Sequence, residues 1–102
     1  MTPILAFDIE TIPDAHAIRT LHDFPNDISD ADVVEYALQK RRAQNGSDFL
    51  PLHLHRVVAI SCCLRWSEDK VHVSTIGKIE DDEATVLRKF YELIERYTPQ
   101  LV

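Results

Sequence analysis

Pro3-Ile4-Leu5-Ala6-Phe7-Asp8-Ile9-Glu10 is a short apolar run that ends on two carboxylates, and Pro13 closes it. Pro3 suits the first position of a strand, where a missing N–H is tolerated. The pattern predicts a buried strand over residues 3–10. Side chains two apart on a strand share a face, so Ile4, Ala6, Asp8 and Glu10 line one side while Leu5, Phe7 and Ile9 pack the other. Asp8 and Glu10 then lie about 7 Å apart, within reach of one cation cluster. Two carboxylates ending a buried strand are costly without compensation. Divalent cations supply it, and two of them roughly 4 Å apart activate water and stabilise the leaving oxygen in phosphodiester cleavage. The same pair also suits plainer duties, as the start of a solvated loop or the cap of a following helix.

Outward from this strand the periodicity changes several times. Residues 14–46 are mixed and predict a helical insert. A loop or short helix around Ala15–Leu21 is broken by Pro25 and Asn26, and a helix over about 30–43 follows. Ser29 and Asp32 provide helix-start chemistry, Val33, Val34, Ala37 and Leu38 recur at helical spacing, and Asn45-Gly46 stops the helix. Val57 to Trp66 is rich in β-formers, Ser67-Glu68-Asp69-Lys70 reads as a tight connection, and Val71, Val73 and Thr75 alternate with His72 and Ser74 in the manner of a half-buried strand. The two runs predict an antiparallel hairpin over 57–77. From Asp81 to Tyr97 the period is helical, with Val86, Leu87, Phe90, Leu93, Ile94 and Tyr97 on one stripe. Asp81, Asp82 and Glu83 suit its N-terminus, Pro99 ends it, and Leu101-Val102 opens another apolar strand.

The local words around the carboxylates narrow their meaning. Phe7-Asp8-Ile9-Glu10-Thr11 resembles the first exonuclease motif of the DEDD superfamily, the DnaQ-like 3′–5′ exonucleases. His55-Arg56-Val57-Val58-Ala59-Ile60-Ser61 is similar to the following strand in the proofreading domains of family B DNA polymerases, and the resemblance is nearest the bacterial predicted 3′–5′ exonucleases related to those domains. It implies an α/β, RNase H-like fold with a mixed sheet. It also implies a two-metal site for Mg²⁺ or Mn²⁺ held by Asp8 and Glu10, with Thr11 near the terminal nucleotide. The implied activity is metal-dependent hydrolysis at a nucleic-acid 3′ end, with single-stranded DNA the expected substrate. In that family a further Asp follows the next strand, and a Tyr and an Asp lie on a later helix. Residues 1–102 therefore read as the front half of such a domain, expected to be inactive alone. Two rivals stay open, a non-catalytic interaction or nucleic-acid-binding domain that keeps the fold, and another RNase H-like nuclease.

Bulk properties bound these readings. At 102 residues and 45% hydrophobic content the chain is one domain at most, with enough apolar mass for a core. No apolar run approaches the roughly 20 residues that cross a bilayer, and no secretory signal opens the chain, so a cytoplasmic location without membrane contact is expected. The formal charge of −6 argues against tight metal-free nucleic-acid binding. Cys62 and Cys63 are neighbours on a strand, point to opposite faces and cannot readily join. A sheet ending at residue 102 predicts an uncovered edge that recruits a second copy or another partner.

Three other sets are ambiguous. His53 and His55 would share a strand face and could bind a metal, though a solvated loop explains them as well. Lys40, Arg41 and Arg42 could touch a nucleic-acid backbone, or could serve only to balance a helix dipole. Phe90, Tyr91 and Tyr97 follow helical spacing, which favours core packing over base stacking.

Overall fold

In the computed structural model, which describes residues 2–102, Ile4–Pro13 forms β1, Ala15–His22 forms α1 and Asp30–Asn45 forms α2. A single 3₁₀ turn at Leu52–Leu54 leads into β2, His55–Ser67, which is followed by β3, Lys70–Ile76, α3, Glu83–Tyr97, and β4, Gln100–Leu101. The strands form one mixed sheet in the order β3-β2-β1-β4. β2 and β3 are antiparallel, whereas β1 and β4 are parallel, with Ile4 opposite Gln100 and Leu5 opposite Leu101. No helix among the described residues is long and apolar enough to cross a membrane.

The chain divides into two compact units. One comprises the residues up to Thr11 together with Val57–Val102, and the other is the insert Ile12–Arg56.

The first unit builds its core where α3 lies on the sheet. Leu5 of β1 and Ile60, Cys62 and Leu64 of β2 point to this side and are buried with Val86 and Phe90 of α3. The Phe7 and Phe90 rings meet at 5.2 Å, and Leu93, Ile94 and Tyr97 close the margin. Fully burying an aliphatic or aromatic side chain of this size contributes about 1.5–3 kcal/mol. α3 starts at Asp82, whose side chain accepts from the Thr85 N–H at 2.8 Å, and stops at Thr98, which takes a left-handed conformation just before Pro99. Leu87, expected on the buried stripe, is only half-buried and stands outside the core cluster. The helix needs a narrow contact stripe, and Val86, Phe90 and Ile94 already occupy it.

The β2–β3 hairpin turns through Glu68-Asp69, where Ser67 Oγ donates to Asp69 Oδ1 at 3.0 Å, and a bulge falls between Arg65 and Ser67. Its period-two alternation is present, but the faces are reversed from expectation. Val71 and Val73 lie on the open side of the sheet, with Val73 74% exposed, while Ser74 and Ile76 lie on the α3 side. Register decides this: Cys62 opposes Ser74 and Ile60 opposes Ile76, so the side facing α3 is set by β2 and leaves the valines outward. Cys62 is buried and Cys63 is not, which puts the two free thiols on opposite faces. Burial pushes the Cys62 thiol above its ordinary range.

The insert unit has its own small core of Ile18, Val33, Ala37, Leu50 and Leu54. Asp14 caps α1 by accepting from the Ala17 N–H at 3.2 Å, and its own N–H donates to Leu54 O at 2.8 Å. Ser29 caps α2 by accepting from the Asp32 N–H, and Gly46 ends it at a φ of 76°. Between the helices, Arg19 donates to Ile28 O and to Asp30 Oδ1, which ties down the loop that Pro25 breaks.

Candidate active site

Asp8 and Glu10 stand on the open face of β1, on the side away from Leu5 and Phe7, as period-two alternation requires. Both are exposed, and so is Ile9, at 45%. The expectation of a buried strand therefore holds only for Leu5, with Ile4 and Phe7 half-buried, and the cost of burying two carboxylates does not arise here. Neither side chain accepts a hydrogen bond or joins an ion pair among the described residues. Their oxygen lone pairs are free to take a ligand.

The neighbourhood of Asp8 is a shallow depression of about 290 Å³ on the sheet surface, bordered by Ala6, Ser61, Cys63 and Val73. Small side chains from β1 and β2 create it, since Ala6 and Ser61 leave the backbone uncovered. No set of three or more His, Cys, Asp or Glu side chains poised to hold a metal occurs among the described residues. Asp8 and Glu10 thus offer two carboxylates, the hard oxygen donors that Mg²⁺ and Mn²⁺ favour, with water left to fill the remaining positions. Thr11 is exposed and, by alternation, points to the side opposite the two carboxylates.

The other acidic, basic, histidine and aromatic side chains singled out in the sequence disperse. Asp82 caps α3, and Asp81 accepts from Lys78 N–H at 3.1 Å and from Lys89 Nζ at 3.0 Å. Both carboxyls sit below the ordinary carboxylate range, Asp81 chiefly through the Lys89 hydrogen bond and Asp82 chiefly through hydrogen bonding with Thr85. His53 lies in the 3₁₀ turn and His55 begins β2, so they do not share a strand face. His55 Nε2 lies 3.0 Å from Leu50 O, and its ring stands 5.1 Å from that of Phe49. Arg42 pairs with Glu35 at 3.2 Å, whereas Arg41 donates from Nε to Phe49 O at 3.2 Å. Phe90 and Tyr97 pack as expected, but Tyr91 is exposed.

A cavity of about 500 Å³ lies on the opposite side of the sheet between α3 and the β2–β3 hairpin, with Trp66, His72, Lys89 and Arg96 among its walls. Its carboxylate, Glu92, already faces Arg88 at 3.8 Å. Size alone does not select it over the open carboxylate pair. Sequence reading passed over Trp66 and His72, because the bulge beside Trp66 and the register of β3 decide which way they face.

A mixed four-stranded sheet with one flanking helix and an acidic pair on its second strand from the edge is the frame on which the comparison with known proteins rests. The chain belongs to the family of predicted 3′–5′ exonucleases related to the exonuclease domain of PolB, whose family model matches residues 47–102, more than half of its length. The match takes in β2, β3, α3 and β4, while Asp8 and Glu10 precede it. No curated protein and no solved structure matches the chain.

Proposed function

We propose that the chain serves metal-dependent 3′–5′ exonucleolytic cleavage on an RNase H-like exonuclease fold, with Asp8 and Glu10 as its metal carboxylates. The observation that carries this reading is the placement of two unpartnered carboxylates on one open strand face, in a member of a predicted exonuclease family. A bound pair of Mg²⁺ or Mn²⁺ ions would supply an activated water and a charge partner for the leaving oxygen. Asp8 and Glu10 hold and orient; the depression beside Asp8 gives a nucleotide room to approach the sheet surface, and Thr11 lies one residue beyond the pair. Single-stranded DNA is the substrate the resemblance favours.

An end-labelled single strand incubated with protein carrying this chain tests the reading. Stepwise loss from the 3′ end is expected with Mg²⁺ or Mn²⁺ and is lost in EDTA. Metal-bound carboxylates support several kcal/mol of transition-state stabilisation, so Asp8→Asn or Glu10→Gln lowers the rate roughly a hundredfold or more. Undiminished cleavage by both variants would move the metal site elsewhere.

A further inference from the structure

The insert unit carries a pocket of about 190 Å³ whose charge runs against that of the chain. Its polar walls are His22, Lys40, Arg41, Gln44 and His53, and no carboxylate lines it among the described residues. The formal charge of the whole chain is −6, so a concavity furnished only with cations and neutral N–H donors stands apart. The helix dipole explains Lys40 and Arg41, which lie toward the end of α2. It also accounts for His22 in the last turn of α1, but not for the convergence of these two helix ends and His53 of the 3₁₀ turn on one pocket.

The donors are available. Lys40 makes no hydrogen bond or ion pair among the described residues, and Arg41 commits only Nε, to Phe49 O. Two exposed aromatic rings adjoin the pocket. Tyr36 is 47% exposed and meets His22 and Phe24 only edge-on, at 5.8 and 5.1 Å, whereas Phe49, 62% exposed beside Arg41, has its ring 5.1 Å from that of His55 at 33°. Cations that follow phosphates, next to an exposed aromatic ring that accepts a base, are what sequence-tolerant single-strand binding requires.

We propose that this pocket docks a backbone phosphate of a single-stranded nucleic acid through Lys40, Arg41 and His53, with Tyr36 taking an adjacent base. The choice of a nucleic acid over another anion rests on the nuclease reading, but no residue of the carboxylate site takes part. Phosphate contacts position a strand without reading its sequence, which suits an enzyme that acts on any 3′ end.

The test is fluorescence anisotropy of labelled oligothymidylate with the full chain in EDTA, which silences any metal at Asp8 and Glu10. Lys40→Gln combined with His53→Gln removes two exposed side chains and is expected to weaken binding about tenfold. The slope of log affinity against log salt should fall by about 0.7 for each phosphate that is no longer neutralised. Tyr36→Ala is expected to weaken binding at least about fivefold, while Lys70→Gln in the hairpin changes neither quantity. Circular dichroism verifies that each variant is folded. Wild-type affinity in the Lys40/His53 double variant overturns the proposal. So does equal affinity for orthophosphate, thymidine monophosphate and the oligonucleotide, which would make the pocket a small-anion site. Lys40-dependent binding by a protein that cleaves nothing upholds the pocket and removes the nuclease reading alone.

Discussion

The Val57 backbone N–H donates to Glu83 Oε2 at 2.7 Å, which joins the opening of β2 to the first turn of α3. The bond spans 26 residues and fixes where the helix begins on the sheet. It also places a negative charge at a helix N-terminus, where the dipole favours it.

Removing that acceptor strands a partly buried N–H. Glu83→Ala is expected to lower stability by about 1–3 kcal/mol, with Glu83→Gln milder because it keeps an oxygen. Glu92→Ala, on the exposed side of the same helix, should stay within about 0.5 kcal/mol of wild type. Urea denaturation midpoints measure all three, and equal midpoints for the Glu83 and Glu92 alanine variants would show that the bond holds nothing.

Gly77 follows β3 with a φ of 117°, and a Cβ built there would stand 2.5 Å from Val58 O. Gly46 also has a positive φ, but nothing lies within 4 Å of its missing Cβ. Gly46→Ala should therefore cost roughly 1–2 kcal/mol, the left-handed penalty alone. Gly77→Ala adds a clash with backbone and is expected to cost more, about 2–4 kcal/mol. A Gly77 variant as stable as the Gly46 variant would refute the close approach of β2 to this turn.

These two glycines mark what a sequence reveals and what it withholds. Gly46 was legible, because Asn-Gly after a helical period is a local stop signal; Gly77 was not, because its neighbour Val58 is distant in sequence. The same division runs through the fold. Ser29, Asp82 and Pro99 announce helix ends locally, and the period-two face of Asp8 and Glu10 follows from the strand itself. The outward turn of Val71 and Val73 does not, since alternation reveals two faces without saying which one α3 will cover. Likewise the exposure of both carboxylates, and the meeting of His22 with His53, depend on packing that no short motif encodes.

Acid should loosen the α3 start in a defined window. The Asp81 and Asp82 carboxyls are held below their ordinary range, by Lys89 and Thr85 respectively as the main partners. A folded-state pKa below the unfolded value, near 3.9, stabilises the fold above that pH, and the contribution is lost as pH falls through the folded value. Their effect should be constant from neutrality to about pH 4 and decline below it. Asp81→Asn with Asp82→Asn should flatten that decline in urea midpoints taken across pH, and an unchanged acid limb would assign it to other carboxyls.

Metal binding by the carboxylate pair should be weak and local. Asp8 and Glu10 supply two oxygen-bearing side chains with no third acidic, His or Cys partner in reach among the described residues. Mg²⁺ requires six ligands in near-octahedral array and keeps waters where protein oxygens are few, so affinity should be low and strongly dependent on each carboxylate. Mn²⁺ substitutes for Mg²⁺ and broadens nearby resonances, which gives a readout independent of catalysis. Titration is expected to broaden backbone signals around Ala6–Thr11 and around Ser61 and Cys63, which border the Asp8 depression. Asp8→Asn and Glu10→Gln should each abolish that pattern, whereas Asp81→Asn should leave it intact, because Asp81 is already engaged by Lys78 and Lys89. Broadening centred on Asp81 and Asp82, or unchanged in Asp8→Asn, would show that the exposed pair on β1 is a solvated surface feature and that metal chemistry, if any, is housed elsewhere.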